Sequence, residues 1–235
     1  MRERPETTAF WTLSDVALFA GSILPVYLLA SLLTKLFGML LPGAFESAAL
    51  RMLLFQSTVY ALLLGSLYMV IKTRYDRPLW SSLGWTLGFR GAWLILLGAP
   101  LLALAISVLD AALLRAPAIP TPIEILVDGS VPVPVVVLFS AIAGPIFEEL
   151  IFRGFLQPPL ERLLGSAAGI AIAAAAFALI HGPGYAWSWQ HLLVVFLAGT
   201  VFGIVRTWTG STAAPALMHL GYNGTLAIAY LVQQA

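Results

Sequence analysis

Long apolar runs alternate with short polar breaks along this chain of 235 residues. Seven runs stand out, at 13–34, 48–71, 92–114, 132–156, 166–182, 190–207 and 212–232. Each has roughly the 17–25 residues that a helix needs to cross about 30 Å of hydrocarbon. The pattern predicts an all-α fold: a polytopic transmembrane helical bundle of about seven to eight spans, with any active site inside it. The fourth run is expected to continue as a helix into water towards Leu164, with Pro158 and Pro159 as the places where it would kink or break. The stretch 76–91 carries too many charges and turn formers to be a span; its Trp80, Trp85 and Phe89 read as an interfacial element. Tyr185, Trp187 and Trp189 read as aromatic anchors at the membrane border, or more sharply as a lid over an outward-facing cavity.

Composition strengthens this picture. Hydrophobic residues make up 60% of the chain and charged residues 10%, against about 25% charged in soluble domains. Mean hydropathy is +0.93. Such a chain is neither disordered nor collagen-like. The absence of cysteine excludes thiol catalysis, cysteine-ligated zinc, iron–sulfur clusters and S-palmitoylation. A net charge of +1 leaves no broad basic surface for nucleic acid. The N-terminus mixes Arg2, Glu3, Arg4, Glu6 and Asp15, and its long apolar run ends at Lys35 without a small-residue cleavage site, so it reads as an uncleaved first span. The positive-inside rule places the N-terminus in the cytoplasm, with Arg2, Arg4, Lys72, Arg74, Arg77, Arg90, Arg162 and Arg206 inside and Lys35, Arg51 and Arg115 outside. The plasma (inner) membrane is the expected location.

Three charges lie where membrane insertion disfavours them. Glu148, Glu149 and Arg153 all fall within the fourth run, where a central charge costs about 2.5–3.5 kcal/mol on insertion scales. Glu149 and Arg153 are one helical turn apart and can pair as a brace. That leaves Glu148, about 100° round the helix, as the carboxylate free for chemistry. Phe177 and His181 close the fifth run, and His219 and Asn223 share one face of the seventh. His191 opens the sixth run and reads as interfacial. If the fourth and fifth runs turn near Gly165, Glu148 and His181 lie at similar depth, each roughly 24 Å from the turn. His219 would lie about 13 Å from a turn near Gly210, and the depths agree if the first hairpin projects about 10 Å into the cytoplasm.

Glu148, His181, His219 and Asn223 form a hydrolytic set. A carboxylate can act as general base for water, a histidine can hold that water, and a second histidine with an amide can stabilise an oxyanion. Glu148, His181 and His219 could equally hold a catalytic zinc with an open position. Other intramembrane protease signatures are missing: there is no His-Glu-x-x-His, Gly-x-Gly-Asp or Gly-x-Ser-Gly, and no P-loop.

These residues resemble the motifs of the CPBP superfamily, the CAAX proteases and bacteriocin-processing enzymes, also called the type II CAAX prenyl endopeptidase or Abi family. Its three motifs are Glu-Glu-x-x-x-Arg, Phe-x-x-x-His and His-x-x-x-Asn, and they match Glu148-Glu149 with Arg153, Phe177 with His181, and His219 with Asn223. The resemblance spans about 130–232. It divides one integral membrane domain into N-terminal spans with an interfacial segment, 1–130, and a catalytic core, 131–235. It implies an intramembrane endopeptidase acting on a membrane-associated or lipidated substrate, such as a prenylated CAAX protein. Glu148 would be the base, His181 its partner, His219 and Asn223 the oxyanion site, and Glu149, Arg153 and Phe177 the support. No cofactor is required on this reading, with zinc as the alternative. Competing readings are a membrane scaffold or bacteriocin-immunity-type protein that keeps the motifs for structure, and a proton-coupled transporter.

Overall fold

A computed structural model describes residues 9–119 and 131–234. Arg2 and Arg4, two of the charges assigned to the cytoplasm, lie outside that range, as does the expected domain division at 130. The helices are α1 (Leu13–Leu40), α2 (Ala48–Tyr75), α3 (Leu79–Ser82), α4 (Ala92–Leu114), α5 (Val133–Leu164), α6 (Ser166–Ile180), α7 (Trp189–Thr209) and α8 (Ala213–Gln234).

Local chemistry sets the helix ends. Asp15 accepts from the Thr12 backbone N–H at 2.8 Å, so a carboxylate closes the first turn of α1. Ser47 caps α2 by accepting from Leu50 N–H at 3.0 Å. Gly165, at φ 81°, makes the turn between α5 and α6, and Gly210, at φ 70°, ends α7. Pro158 and Pro159 do not break α5. They sit in the first turn of the segment Gln157–Leu164, directly after a wide π-helical stretch, Leu150–Leu156. There the missing N–H groups coincide with a change of hydrogen-bond register.

Two packed regions flank α5. On one side, Phe19 and Val26 of α1 and Val59, Leu63 and Leu67 of α2 pack with Leu150 and Phe155. On the other, Ile95, Ala99 and Ala103 of α4 pack with Phe202 of α7 and Met218 of α8. The opposite faces expose Leu24, Leu28, Leu97, Leu101 and Leu104. The segment after α2 is more than an interfacial element. Leu79 and Leu83 are buried, and Leu83 and Thr86 carbonyls each accept at 2.5 Å from the hydroxyls of Thr212 and Ser211 in the α7–α8 turn.

Among the described residues five helices, α1, α2, α4, α5 and α7, are long and apolar enough to cross a membrane. The chain is an integral membrane protein built as an all-α bundle. The expected count of seven to eight spans is not met by this measure. Every expected run forms a helix, but α6 has 15 residues, about 22 Å of rise, and α8 is diluted by His219, Tyr222, Asn223 and Thr225.

Close packing of α6 on α5 depends on Gly169, where an added Cβ would lie 2.6 Å from the Glu161 backbone nitrogen. Gly169→Ala is expected to destabilise the protein by about 1–3 kcal/mol. Gly21→Ala, with open space around it, should not. Thermal unfolding in detergent compares the two.

Candidate active site

The site is built around a stripe of polar residues on α5, spaced by one helical turn: Glu149, Arg153, Gln157 and Glu161. Glu149, Arg153 and Gln157 are fully buried. Arg153 Nη1 donates to Glu149 Oε1 at 2.8 Å, and Nη2 donates to the Gly199 carbonyl of α7 at 2.8 Å. Its guanidinium carbon lies 4.5 Å from the centre of the Phe177 ring, close enough for cation–π attraction. A Cβ on Gly199 would lie 3.1 Å from both Arg153 Nη2 and the Phe177 ring, so glycine keeps α7 within reach. One turn further along, Gln157 Nε2 donates to the Gly203 carbonyl at 3.0 Å. There a Cβ would sit 2.8 Å from the Ile170 side chain.

This pairing fixes His219. Its Nδ1 lies 2.9 Å from Glu149 Oε1, the same oxygen that takes Arg153. A carboxylate bound to arginine accepts, so His219 Nδ1 carries the hydrogen. The ring stacks on Phe202 at 4.6 Å and meets the edge of Phe177 at 5.8 Å. Its other nitrogen, Nε2, faces Glu148 Oε2 at 3.9 Å. That is too long for a direct hydrogen bond, and a water beside the gap can bond to both atoms. Glu148 keeps 15% of its side chain accessible while Glu149 keeps none. Neighbours in sequence therefore differ in their freedom to meet a substrate.

His181 follows the last residue of α6. Its Nδ1 lies 2.8 Å from the Phe177 carbonyl. A carbonyl only accepts, so the hydrogen again sits on Nδ1. The His181 ring lies 4.7 Å from Phe177, so both histidines contact one phenylalanine. Asn223 Nδ2 donates to the Ser140 carbonyl at 3.0 Å. In the π-helical turn Phe139–Ala143 that carbonyl would accept from residue 145, which is proline and has no N–H. Among the described residues no hydrogen bond or ion pair joins His181 or Asn223 to Glu148. Nor do three of the His, Asp and Glu side chains gather closely enough to hold a metal ion. Of the set Glu148, His181 and His219, only the pair Glu148–His219 is in near contact.

His191 stays apart, stacked on Tyr185 at 4.8 Å and within 3.0 Å of the Ser188 hydroxyl. One participant escapes the motif reading. Tyr60 of α2 donates its hydroxyl to Glu148 Oε1 at 3.0 Å and stacks on Phe147 at 4.9 Å. The available signal was a tyrosine one turn after Gln56 in a largely apolar run.

Residues 130–225, which carry α5 to most of α8, match the family model described as Type II CAAX prenyl endopeptidase Rce1-like. The membrane-embedded CAAX protease MroQ of Staphylococcus aureus (strain USA300) is similar, with 26% identity over 106 residues. That alignment covers 43% of this chain and 41% of the relative's length. Over this segment the chain is similar to the CPBP/CAAX protease superfamily. No solved structure matches the chain. The matched segment contains each motif residue, whereas Tyr60 reaches the site from outside it.

Removing the Arg153 charge alone strands Glu149 in the bundle interior. Arg153→Met is expected to cost about 3–5 kcal/mol of stability. Glu149→Leu combined with Arg153→Met should cost less than the sum of the single changes, because each charge neutralises the other. A double-mutant cycle of thermal unfolding in detergent measures the coupling.

Proposed function

We propose that the chain is an intramembrane endopeptidase that hydrolyses a peptide bond of a membrane-associated substrate, with Glu148 as the base that activates water. The observation that carries this reading is the facing of a partly accessible Glu148 carboxylate and the Nε2 of a histidine whose other nitrogen is already committed. The superfamily likeness of residues 130–225 supports the same reaction and favours a lipidated, CAAX-type tail as substrate. In this reading α6 and α8 also lie within the bilayer, giving seven membrane-embedded helices. The N-terminus faces the cytoplasm, in the plasma (inner) membrane.

Water beside the Glu148–His219 gap gives its proton to Glu148 and attacks the scissile carbonyl. His181 presents Nε2 to help hold that water. Donors are then needed for the tetrahedral oxyanion. Asn223 has a second amide hydrogen beyond the one given to Ser140. His219, with its Nδ1 hydrogen committed to Glu149, keeps Nε2 turned towards the water at the Glu148 gap. Glu148 returns the proton to the departing amine. Tyr60 holds the Glu148 carboxylate in place throughout.

Glu148→Gln keeps the shape and removes the base. It is expected to lower turnover about 10²–10⁴-fold with unchanged thermal stability. At matched expression, new protein termini present in cells carrying the native chain should vanish in cells carrying the variant. Matching terminal profiles together with a retained phenotype would move the scaffold reading to the front. In this reaction Glu148 needs no metal, so purified protein stripped by a chelator should keep its activity. Activity that returns only with added zinc would replace the glutamate-only scheme by a metal-dependent one.

A further inference from the structure

A cavity of about 620 Å³ opens at one end of the bundle, where residues 9–11 meet the segment 77–88 and the α7–α8 turn. It is separate from the hydrolytic set: Pro158, in its wall, is ten residues along α5 from Glu148, about 15 Å. The wall contains Arg77 and Arg206, with the hydroxyl residues Ser81, Ser82, Thr86 and Thr209, and none of its lining residues is acidic.

Arg206 is the unusual member. It is 5% exposed, and its Nε is buried with no hydrogen-bond partner among the described residues. The carboxylate whose field reaches it, Glu161, already accepts from Gln157 Nε2 and the Thr207 hydroxyl. Arg206 lies in the last turn of α7, where the helix dipole favours a cation by about 0.3–1 kcal/mol. Burying an ion costs several kcal/mol, so the dipole alone does not account for the placement. Space has been kept for it: Gly84 has φ +68°, and a Cβ there would lie 2.7 Å from Arg206 Nη2. Arg77 is exposed at the same cavity, its guanidinium 4.8 Å above the Phe10 ring. The walls are fixed, since Trp11 donates to the Phe155 carbonyl at 2.9 Å and Arg162 donates to the Ala9 and Trp11 carbonyls.

We propose that this cavity binds the phosphate of an anionic lipid headgroup, with Arg206 at its base and Arg77 at its mouth. Guanidinium groups present several donors in the plane that phosphate oxygens match. The volume falls within the usual range for ligand pockets and exceeds what a bare phosphate needs. The cavity lies at helix ends, next to half-exposed Trp80 and Trp208, the level at which headgroups and interfacial tryptophans meet. Basic pockets between membrane helices take acidic headgroups by this chemistry.

The test is native mass spectrometry of the full chain in detergent, titrated with phosphatidylglycerol, phosphatidylcholine or inorganic phosphate. The native chain is expected to retain phosphatidylglycerol in preference to phosphatidylcholine, whose choline cation opposes the arginines. Arg206→Gln and Arg77→Gln should each weaken phosphatidylglycerol binding about tenfold. Arg77 is exposed, so its variant should melt like the native chain and report binding even if Arg206→Gln does not fold. Inorganic phosphate binding as tightly as phosphatidylglycerol would make this a free-anion site and overturn the lipid assignment. Equal retention of phosphatidylglycerol by the native chain and a stably folded Arg77→Gln, or no preference over phosphatidylcholine, would overturn the site itself.

Discussion

A guanidinium inside hydrocarbon needs partners, and those of Arg153 organise four helices. Its two terminal nitrogens go to Glu149 on its own helix and to the Gly199 carbonyl on α7. Its flat face takes Phe177 of α6. Neutralising Glu149 lets the same oxygen receive His219 of α8. Each of these contacts narrows what its neighbours can be. A side chain on Gly199 would crowd Arg153 and Phe177, and the Phe177 ring serves the cation and both histidines. Removal of the charge would leave a buried anion and an undirected imidazole, so bundle assembly and imidazole orientation rest on the same ion pair.

The consecutive carboxylates show how one helix separates support from chemistry. A step of one residue turns the side chain by about 100°. For Glu149 that direction is the closed interior. For Glu148 it is a partly open face bordered by Tyr60 and His219. Nothing about the residue type distinguishes them; their surroundings do. The difference also explains why the motif-bearing segment is not the whole site. Glu148 is held by a hydroxyl from α2, which belongs to the N-terminal half of the chain.

Much of this was legible beforehand, and the gaps have physical causes. Apolar runs locate helices well, because hydrocarbon demands them. The Glu149–Arg153 pair follows from helical spacing, and the turn at Gly165 follows from glycine between two runs. Tyr60 could not be linked to Glu148, since 88 residues separate them and one hydroxyl in an apolar run has many uses. The partners of His181 and Asn223 are main-chain carbonyls, which every residue has and no side-chain pattern marks. The span count exceeded what length and apolarity support because α6 is short and α8 gives up apolar positions to site residues. Asp15 looked like an N-terminal charge at the water's edge, yet it is buried between Tyr75, at 2.6 Å, and Arg74, at 2.9 Å.

The prolines of α5 join these observations. A helix through the membrane normally commits its carbonyls to its own N–H groups, so a side chain from elsewhere shares an acceptor already in use. Proline removes a donor and so releases an acceptor. Pro159 lacks the N–H that would serve the Phe155 carbonyl, which instead accepts from the Trp11 indole. Pro145 does the same for Ser140, whose carbonyl takes Asn223. In both cases a π-helical turn lies beside the proline and takes up the register change. Pro159, expected to kink or break α5, thus lets it anchor the N-terminal segment at one level, and Pro145 lets it hold a site residue of α8 at another. A regular helix of the same length would cross the bundle equally well but would offer these donors only carbonyls already in use.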